Sequence, residues 1–346
     1  MGLNIREIIP RREIEISELK GKILCVDAFN ALYQFLSSVR QADGTPLMDN
    51  KKRVTSHLSG IFYRNISLIE EGIKLVYVFD GQAPDLKEKI YEKRETGRDI
   101  ARQKYERAKT EEDIEGMRKY SSRLIRLDDE MIKESKELLE AIGIAVIQAP
   151  GEGEAEASYL SRANKEIYGI VSQDYDSLLF GATNLIRNLT LARKRKTFSG
   201  YVEVKPEIIE LSRVLNLLEI NLDQIICLGI MVGTDYNPGG IPGIGQKRAL
   251  QIVKRYKQPV LIFKSVEEQM MSLPEENRFD WKEIFELFHK PKVRDFEIKF
   301  DDINEEKVKE ILVKEHDFSE ERVEKQLERL NEIKKKMKQK GLSKWL

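Results

Sequence analysis

The chain has 346 residues, which is enough for one large α/β unit or about two domains of ordinary size. Lysine plus arginine equals aspartate plus glutamate at 59 each, so the formal net charge is zero and gives no general signal for nucleic acid. Two cysteines and three histidines argue against a disulfide framework and against a Cys/His zinc cluster.

Strand and helix signals alternate through the first half of the chain, and this βαβ pattern is typical of a mostly parallel sheet. Strands are expected at 23–27, 74–80, 144–148 and 168–173. Helices are expected at 31–39, 55–70 and 154–164. After residue 199 the pattern predicts mostly helices, at 206–219, 221–232, 279–289, 304–315 and 319–340.

Acidic residues stand where the predicted strands end. They are Asp27, Asp80, Glu152, Glu154, Asp174 and Asp176, and Asp235 stands apart from them in Gly233-Thr234-Asp235-Tyr236. In open α/β sheets ligands bind beyond the carboxyl ends of the strands, so we expect these acids to line one crevice. Strand alternation is expected to place Asp174 and Asp176 on one face. Helix-start stabilisation is a simpler explanation for Glu152 and Glu154 alone.

A crevice with so many carboxylates requires a cation, because neighbouring like charges do not all ionise without one. Mg²⁺ is the simplest candidate, since it is a hard ion that prefers oxygen ligands. Two such ions about 4 Å apart would clamp the attacking and leaving oxygens of an in-line phosphoryl displacement. No phosphate-binding loop of the Gly-x-x-x-x-Gly-Lys-Ser/Thr type is present, which argues against an NTP-driven motor.

The segment 85–109 carries nine basic and six acidic residues and almost no aliphatic stripe. A helix that is polar all round is either solvent-bridging or not stable by itself. Because the segment follows Asp80, one interpretation is a mobile lid over the crevice. A solvated surface helix is the other, and charge alone favours it.

A glycine-rich turn, 239–245, separates two predicted helices. Its Gly240, Gly243 and Gly245 precede Lys247 and Arg248. Such a turn presents backbone N–H groups and a helix N-terminus to a phosphate, and the two cations add charge. The pattern resembles helix–hairpin–helix elements that bind the DNA backbone without reading its sequence. An ordinary loop with helix-start chemistry is the alternative.

The acidic positions belong to five short motifs: Val26-Asp27-Ala28, Val78-Phe79-Asp80-Gly81, Ala149-Pro150-Gly151-Glu152-Gly153-Glu154-Ala155, Ser172-Gln173-Asp174-Tyr175-Asp176 and Gly233-Thr234-Asp235-Tyr236. In order and spacing they resemble the structure-specific 5′ nucleases, and the archaeal flap endonucleases most. The resemblance covers nearly the whole chain. It implies an α/β fold of the 5′-nuclease (PIN-like) type: a mostly parallel central sheet flanked by helices, a helical arch insertion and a helix–hairpin–helix DNA-binding element.

The resemblance also implies a site for two Mg²⁺ ions, with Mn²⁺ as an expected substitute. One group of ligands matches Asp27, Asp80, Glu152 and Glu154, and the other matches Asp174, Asp176 and Asp235. Lys87 and Arg94 match a catalytic basic pair in the arch, although pairing of Lys87 with an arch acid is the plainer role. Tyr33 matches a residue that stacks on a base beside the cut, the alternative being a core tyrosine, and Gly2 is expected near the DNA junction.

The last eight residues, 339–346, are similar to a box that binds sliding clamps. Gln339, Leu342, Trp345 and Leu346 occupy its key positions, with Leu346 in place of a second aromatic residue. Tryptophan is a common interface anchor, so the sliding clamp (PCNA) is the expected protein partner. The alternative is an end helix that folds its apolar residues onto the core.

The expected layout has an N-terminal nuclease region at 1–98, an arch at 82–130, an internal nuclease region at 116–258 with its DNA-binding hairpin at 233–256, C-terminal helices at 259–337 and a clamp-binding tail at 338–346. The resemblance implies a 5′-flap endonuclease that binds branched DNA, is a monomer by itself and acts in Okazaki-fragment maturation and repair, with 5′–3′ exonuclease activity left open. The rivals are a related 5′ exonuclease, a bubble or junction endonuclease, and a non-catalytic junction binder tethered to the clamp.

No apolar run approaches the roughly 20 residues of a membrane-spanning helix, and no secretory signal is recognisable. We therefore expect no membrane partner and an intracellular location: cytoplasm or nucleoid in a prokaryote, nucleus in a eukaryote.

Overall fold

A computed structural model of the protein describes residues 3–41, 44–82, 88–111, 113–121, 124, 126–190, 194–197 and 200–342. Lys87 and Gly2, together with Trp345 and Leu346 of the expected clamp box, lie outside the described residues.

A seven-stranded sheet forms the centre of the fold, in the order β1-β9-β6-β5-β2-β3-β4. Its strands are β1 (Arg12–Glu13), β2 (Ile23–Asp27), β3 (Lys74–Phe79), β4 (Ala145–Gln148), β5 (Ile167–Val171), β6 (Asn184–Arg187) and β9 (Glu207–Glu210). The five strands from β6 to β4 are all parallel, while β9 and β1 add antiparallel pairs at one edge. A separate hairpin consists of β7 (Lys194–Thr197) and β8 (Gly200–Glu203). The expected mostly parallel sheet is confirmed.

The sheet is covered on both faces, which explains why its central strands are apolar without interruption. Along β2, Leu24 and Val26 belong to one hydrophobic cluster, whereas Cys25 between them belongs to the other. Strand β3 divides in the same way, because successive strand side chains point to opposite faces. Both cysteines are free and buried, in agreement with the expected absence of a disulfide framework.

One face carries the helices α1 (Ala28–Ser38), α2 (Ser56–Ser59), α3 (Asn65–Glu70), α6 (Asp129–Ala141), α15 (Glu305–Lys309) and α16 (Glu320–Leu342). The other carries α7 (Gly153–Ala163), α8 (Asp176–Leu179), α9 (Leu211–Leu218), α10 (Leu222–Val232), α11 (Gln246–Tyr256), α12 (Pro259–Lys264) and α14 (Trp281–His289). The short helix α13 (Glu267–Met271) follows α12. A π-helical segment at 60–64 joins α2 to α3, and a second one at 310–315 extends α15. The expected helices at 55–70 and 304–315 are therefore confirmed.

The charged segment forms a long helix, α4 (Glu88–Thr110), which packs against α5 (Ile114–Ser121). The small side chains Ala101 and Ala108 are buried, although the helix has no aliphatic stripe. The pair is inserted between β3 and α6, and Asp80 is the first residue after β3. This is the position that the resemblance assigns to an arch.

The predicted helix at 206–219 is wrong in part. Residues Gly200–Glu203 and Glu207–Glu210 are strands, and α9 begins only at Leu211. In so short an apolar run the spacing of the apolar residues does not distinguish a helix from a strand. Pairing of β9 with both β6 and β1 decides its conformation.

In the part of the chain that the structure describes, no single helix is long and apolar enough to span a membrane. Helices α9 and α10 reach that length and composition only together, and they meet at an angle of 84°.

Candidate active site

The structure brings the predicted acidic residues to one end of the parallel sheet. We call the seven together the carboxylate cluster: Asp27, Asp80, Glu152, Glu154, Asp174, Asp176 and Asp235. Four neighbouring strands, β5, β2, β3 and β4, lead into six of them at their carboxyl ends. The parallel connections bring residues that are more than 140 positions apart in the sequence within hydrogen-bonding reach of one another.

Asn30 joins two members of the carboxylate cluster. Asp27 caps α1, and its Oδ1 accepts the backbone N–H of Asn30 at 3.0 Å. The Asn30 side chain in turn donates to Asp174 Oδ2 at 3.1 Å. The Ser172 hydroxyl lies 3.4 Å from Asp27 Oδ2 and accepts the backbone N–H of Asp174 at 3.2 Å. These neutral groups hold β2 and the turn after β5 together.

The start of α7 holds a second part of the cluster. The backbone N–H of Gly153 donates to Asp80 Oδ1 at 2.6 Å, and a Cβ at residue 153 would lie only 2.8 Å from that oxygen. Glycine is therefore required for this close approach. Glu152 accepts a hydrogen bond from the Tyr236 hydroxyl, and Glu154 Oε1 accepts the backbone N–H of Ser177 at 3.1 Å.

One geometric expectation is wrong: Asp174 and Asp176 do not share a strand face. Strand β5 ends at Val171, Asp174 lies in the following turn, and Asp176 is the first residue of α8. The turn, and not strand alternation, brings the two carboxylates toward the cluster.

Asp235 is held by the short loop that follows α10. Asn237 Oδ1 accepts the backbone N–H of Thr234 at 3.1 Å and its hydroxyl at 2.8 Å, while the Asn237 amide donates to Ile230 at 2.7 Å. Gly233 and Gly240 enclose this loop at positive φ, and a Cβ on Gly240 would lie 2.4 Å from the carbonyl oxygen of Met231. Close packing therefore accounts for Gly240 independently of DNA.

Mutual repulsion is evident in the pKa values of the cluster. Burial, followed by the charges of Asp174, Asp27, Asp176 and Glu152, raises the pKa of Glu154 well above its ordinary value. Burial and then Asp235 raise the pKa of Asp174. Burial and the adjacent Glu152 carboxylate also raise the pKa of the Tyr236 hydroxyl. A bound cation would relieve this repulsion.

The cluster fits a divalent ion in its chemistry and in its place on the fold. All seven side chains offer the oxygen donors that Mg²⁺ prefers. Among the described residues, however, no three His, Cys, Asp or Glu side chains converge closely enough to hold a metal ion as they stand. Mg²⁺ usually keeps several waters and takes one or two carboxylates directly, so the remaining carboxylates can act through bound water.

The other predicted site residues that the structure describes lie on α1, in the hairpin before α11 and at its start, in α4 and in α16. Tyr33 on α1 is 40% exposed, so the core-tyrosine alternative is wrong. Gly243 has a positive φ, Gly245 caps α11, and Arg248 donates to the carbonyl of Gly243 at 3.1 Å. Lys247 lies 3.4 Å from Glu7. Arg94 lies in α4, and Gln339 and Leu342 lie in α16. For these three residues the structure describes the backbone only.

Sequence reasoning missed the neutral residues that orient the carboxylates. Asn30 was recognisable only by its position three residues after Asp27, which is the spacing of a helix cap. Tyr236 lies beside Asp235 in the fifth motif, but its partner, Glu152, is 84 residues away. No local signal indicates that pairing.

Two family models match the chain: the XPG N-terminal domain over residues 4–101 and the XPG I-region over residues 143–235. The two matches contain all seven members of the carboxylate cluster and both Lys87 and Arg94. Fold, cluster and family models together define the class of the protein, which is an XPG-type nuclease.

Similar proteins narrow the class further. Flap endonuclease 1 from Thermococcus onnurineus is 50% identical over 303 residues, which cover 87% of this chain and 86% of the relative. The structure of flap endonuclease-1 from Methanococcus jannaschii superposes with a TM-score of 0.74 at 36% identity, covering 96% of this chain and 98% of that one. The chain belongs to the flap endonuclease 1 family, and the archaeal resemblance is confirmed.

A more distant structure, the catalytic core of Rad2 in complex with DNA substrate, has a TM-score of 0.67 at 22% identity over 95% of this chain and 100% of that one. At this identity it supports the fold alone. Membership of the flap endonuclease 1 family makes the chain a hydrolase of phosphodiester bonds, in a family whose nucleases depend on divalent metal.

Proposed function

We propose that this chain is a structure-specific 5′-flap endonuclease that cuts DNA where duplex meets a 5′ single strand. The observation that carries the proposal is the carboxylate cluster at the carboxyl ends of four neighbouring parallel strands. A protein that only binds DNA would gain nothing from so much negative charge close to phosphates. The name of the T. onnurineus relative agrees with this activity.

Two Mg²⁺ ions are proposed as the resident metals, with Mn²⁺ as a substitute, and they would stabilise charge on the attacking and leaving oxygens. Asp27, Asp80, Glu152 and Glu154 are proposed for one ion, and Asp174, Asp176 and Asp235 for the other. The neutral groups around them restrict their orientations: Asn30 holds Asp27 and Asp174, and Tyr236 holds Glu152. Such supporting hydrogen bonds set the direction of a ligand before the ion arrives.

The proposed DNA path uses groups on α1, at the start of α11 and in α4. The exposed ring of Tyr33 offers a base-stacking surface worth about 1–3 kcal/mol. The start of α11 offers backbone N–H groups to a phosphate of the duplex. The Lys247–Glu7 pair there is mostly exposed and therefore weak, so a phosphate can replace Glu7. Lys87 and Arg94 are proposed to stabilise charge on the scissile phosphate.

A cleavage assay tests this function directly. End-labelled flap, nicked-duplex, bubble and four-way-junction DNAs are compared at equal concentration, with Mg²⁺ and with EDTA. We expect fast, metal-dependent cutting of the flap substrate near its junction. Preferred cutting of the bubble or four-way junction would assign the chain to another branch, and binding without cutting would make it a junction binder.

Residues 339–346 are proposed to bind the sliding clamp, which would tether the nuclease at DNA and raise its local concentration. Deleting them is expected to abolish stimulation by the clamp and to leave basal cleavage within about twofold, because they are distant in the sequence from every member of the carboxylate cluster. Titration of the clamp against both forms measures the loss. Unchanged clamp affinity after the deletion would contradict the assignment.

The biological setting proposed is Okazaki-fragment maturation and DNA repair inside the cell, with the protein acting as a monomer apart from the clamp. A 5′–3′ exonuclease activity is an additional proposal, and the nicked-duplex substrate in the same assay measures it.

A further inference from the structure

Beyond the carboxylates and their direct partners, a group of three arginines surrounds one buried glutamate, Glu207. This residue begins β9 and is only 8% exposed. Its Oε1 lies 3.2 Å from Arg6 Nη2 and 3.5 Å from Arg11 Nε. Its Oε2 lies 3.7 Å from Arg187 Nη1. A glutamate this deeply buried is rare unless it is paired, and here it is paired three times.

Arg187 connects Glu207 to the turn that carries Asp174 and Asp176. It ends β6 directly opposite Glu207 in the β6–β9 register, so the sheet places the two side by side. Its Nε donates to the carbonyl of Gln173 at 3.2 Å, and its Nη1 donates to the Tyr175 hydroxyl at 2.7 Å.

The Arg187 guanidinium also lies over the Tyr175 ring, 4.4 Å from its centroid. Gln173 and Tyr175 are the residues on either side of Asp174. The guanidinium plane therefore fixes the turn at two points, one before and one after that carboxylate.

Arg6 and Arg11 connect the same glutamate to the N-terminal segment. Arg11 also donates to the carbonyl of Arg6 at 2.8 Å, so the two arginines are fixed relative to each other. Glu207 thus joins two parts of the chain that are separated by more than 150 residues: the N-terminal segment and the turn after β5. If Glu207 were neutral, Arg187 would lose its ionic partner and the turn would lose a constraint on its position.

We propose that Glu207, acting through Arg187, is a positioning residue that sets Asp174 and Asp176 for the divalent ion. The inference rests on the proposed function, since it assigns those two carboxylates to metal. Glu207 itself does not reach the substrate or the ion. Outer residues of this kind typically change metal affinity or activity by about 10–100-fold.

The test uses the full chain with two substitutions. Glu207→Gln keeps the shape of the side chain and removes its charge. Arg187→Lys keeps the charge and loses the guanidinium that contacts both Gln173 and Tyr175. Glu13→Gln is the matched control, because Glu13 is exposed and opposes Glu207 on β1. Free Mn²⁺ is counted by electron paramagnetic resonance during titration of each protein without DNA. Flap-junction binding in EDTA, single-turnover cleavage at several Mn²⁺ concentrations and thermal unfolding are measured on the same preparations.

We expect the Mn²⁺ concentration at half-saturation to rise about tenfold or more in Glu207→Gln, at least as much in Arg187→Lys, which loses the contacts to the turn itself, and not in the control. Cleavage should recover toward the wild-type rate as Mn²⁺ is raised, with junction binding in EDTA unchanged. A lower unfolding temperature with unchanged Mn²⁺ half-saturation would show a merely structural role and overturn the inference. If the wild-type protein bound no Mn²⁺ saturably, the carboxylate assignment itself would fail, and this inference with it.

Discussion

Replacing Asp174 by Asn should lower the rate of 5′-flap cleavage by about 10³-fold while leaving flap-junction binding measurable. Asp174 contacts Asn30 and interacts electrostatically with Asp235 in its own proposed ligand group and with Glu154 in the other. Asparagine has the same size and still accepts a hydrogen bond, but it provides no negative charge for a cation. Single-turnover cleavage and fluorescence anisotropy on the same labelled flap measure the two properties.

The same variant is expected to be at least as stable as the wild type when metal is absent. The raised pKa of Asp174, caused by burial and by Asp235, means that folding makes this charge less favourable. Removing it should leave the unfolding temperature in EDTA unchanged or higher. Glu166→Gln is the control, because this exposed acid lies at the opposite end of β5. Wild-type cleavage by Asp174→Asn, or loss of fold in EDTA, would refute the assignment of Asp174 to a metal.

Replacing Glu134 by Gln should lower the free energy of unfolding by about 3 kcal/mol near pH 5.5. Glu134 on α6 lies 3.0 Å from His316 Nε2 and 3.7 Å from His57 Nε2. His316 Nδ1 lies 3.2 Å from Asp49, which Arg53 also contacts at 2.7 Å. These groups join the C-terminal helices to the segment before α2 and to α6, and none of them is a member of the carboxylate cluster.

The pKa shifts determine the pH range of this effect. Burial alone raises the pKa of Glu134, but the hydrogen bond with His316 and the neighbouring His57 outweigh it and lower the pKa to about 2. The stabilisation of the folded state by ionised Glu134 is complete above about pH 4.5 and is lost as pH falls toward 2. Burial lowers the pKa of His316, but Glu134 outweighs it and the pKa is raised. The stabilisation of the folded state by protonated His316 is complete below about pH 6.5 and is lost as pH rises through the pKa that His316 has in the folded state.

Urea unfolding of the wild type and of Glu134→Gln at several pH values measures the loss of stabilisation both at low pH and at high pH. The difference between them should be largest between about pH 4.5 and 6.5 and should shrink on either side. Glu140→Gln on the exposed face of α6 is the control and should change stability by less than about 0.5 kcal/mol. Flap cleavage well below the unfolding temperature should be unaffected. A pH-independent difference would show that the network carries no net charge-pairing energy.

The sequence predicts the acidic site well because its information is local. Asp27 and Asp80 each follow directly on an apolar run, and the carboxyl ends of parallel strands meet at one edge of a sheet. The same reasoning does not find β9, since four residues with two apolar positions suit either a helix or a strand. It also places Asp174 and Asp176 on a strand, whereas β5 ends three residues before Asp174.

Residue order alone determined the identity of the seven carboxylates, the parallel centre of the sheet and the nuclease family, because each of these depends on short motifs and their spacing. Only the tertiary structure decided which neutral and basic groups orient those carboxylates. Tyr236 reaches Glu152, Asn30 reaches Asp174, and Arg187 opposes Glu207 through contacts across the fold or the sheet. Such contacts follow from chain topology and packing, and no nearby residue in the sequence specifies them.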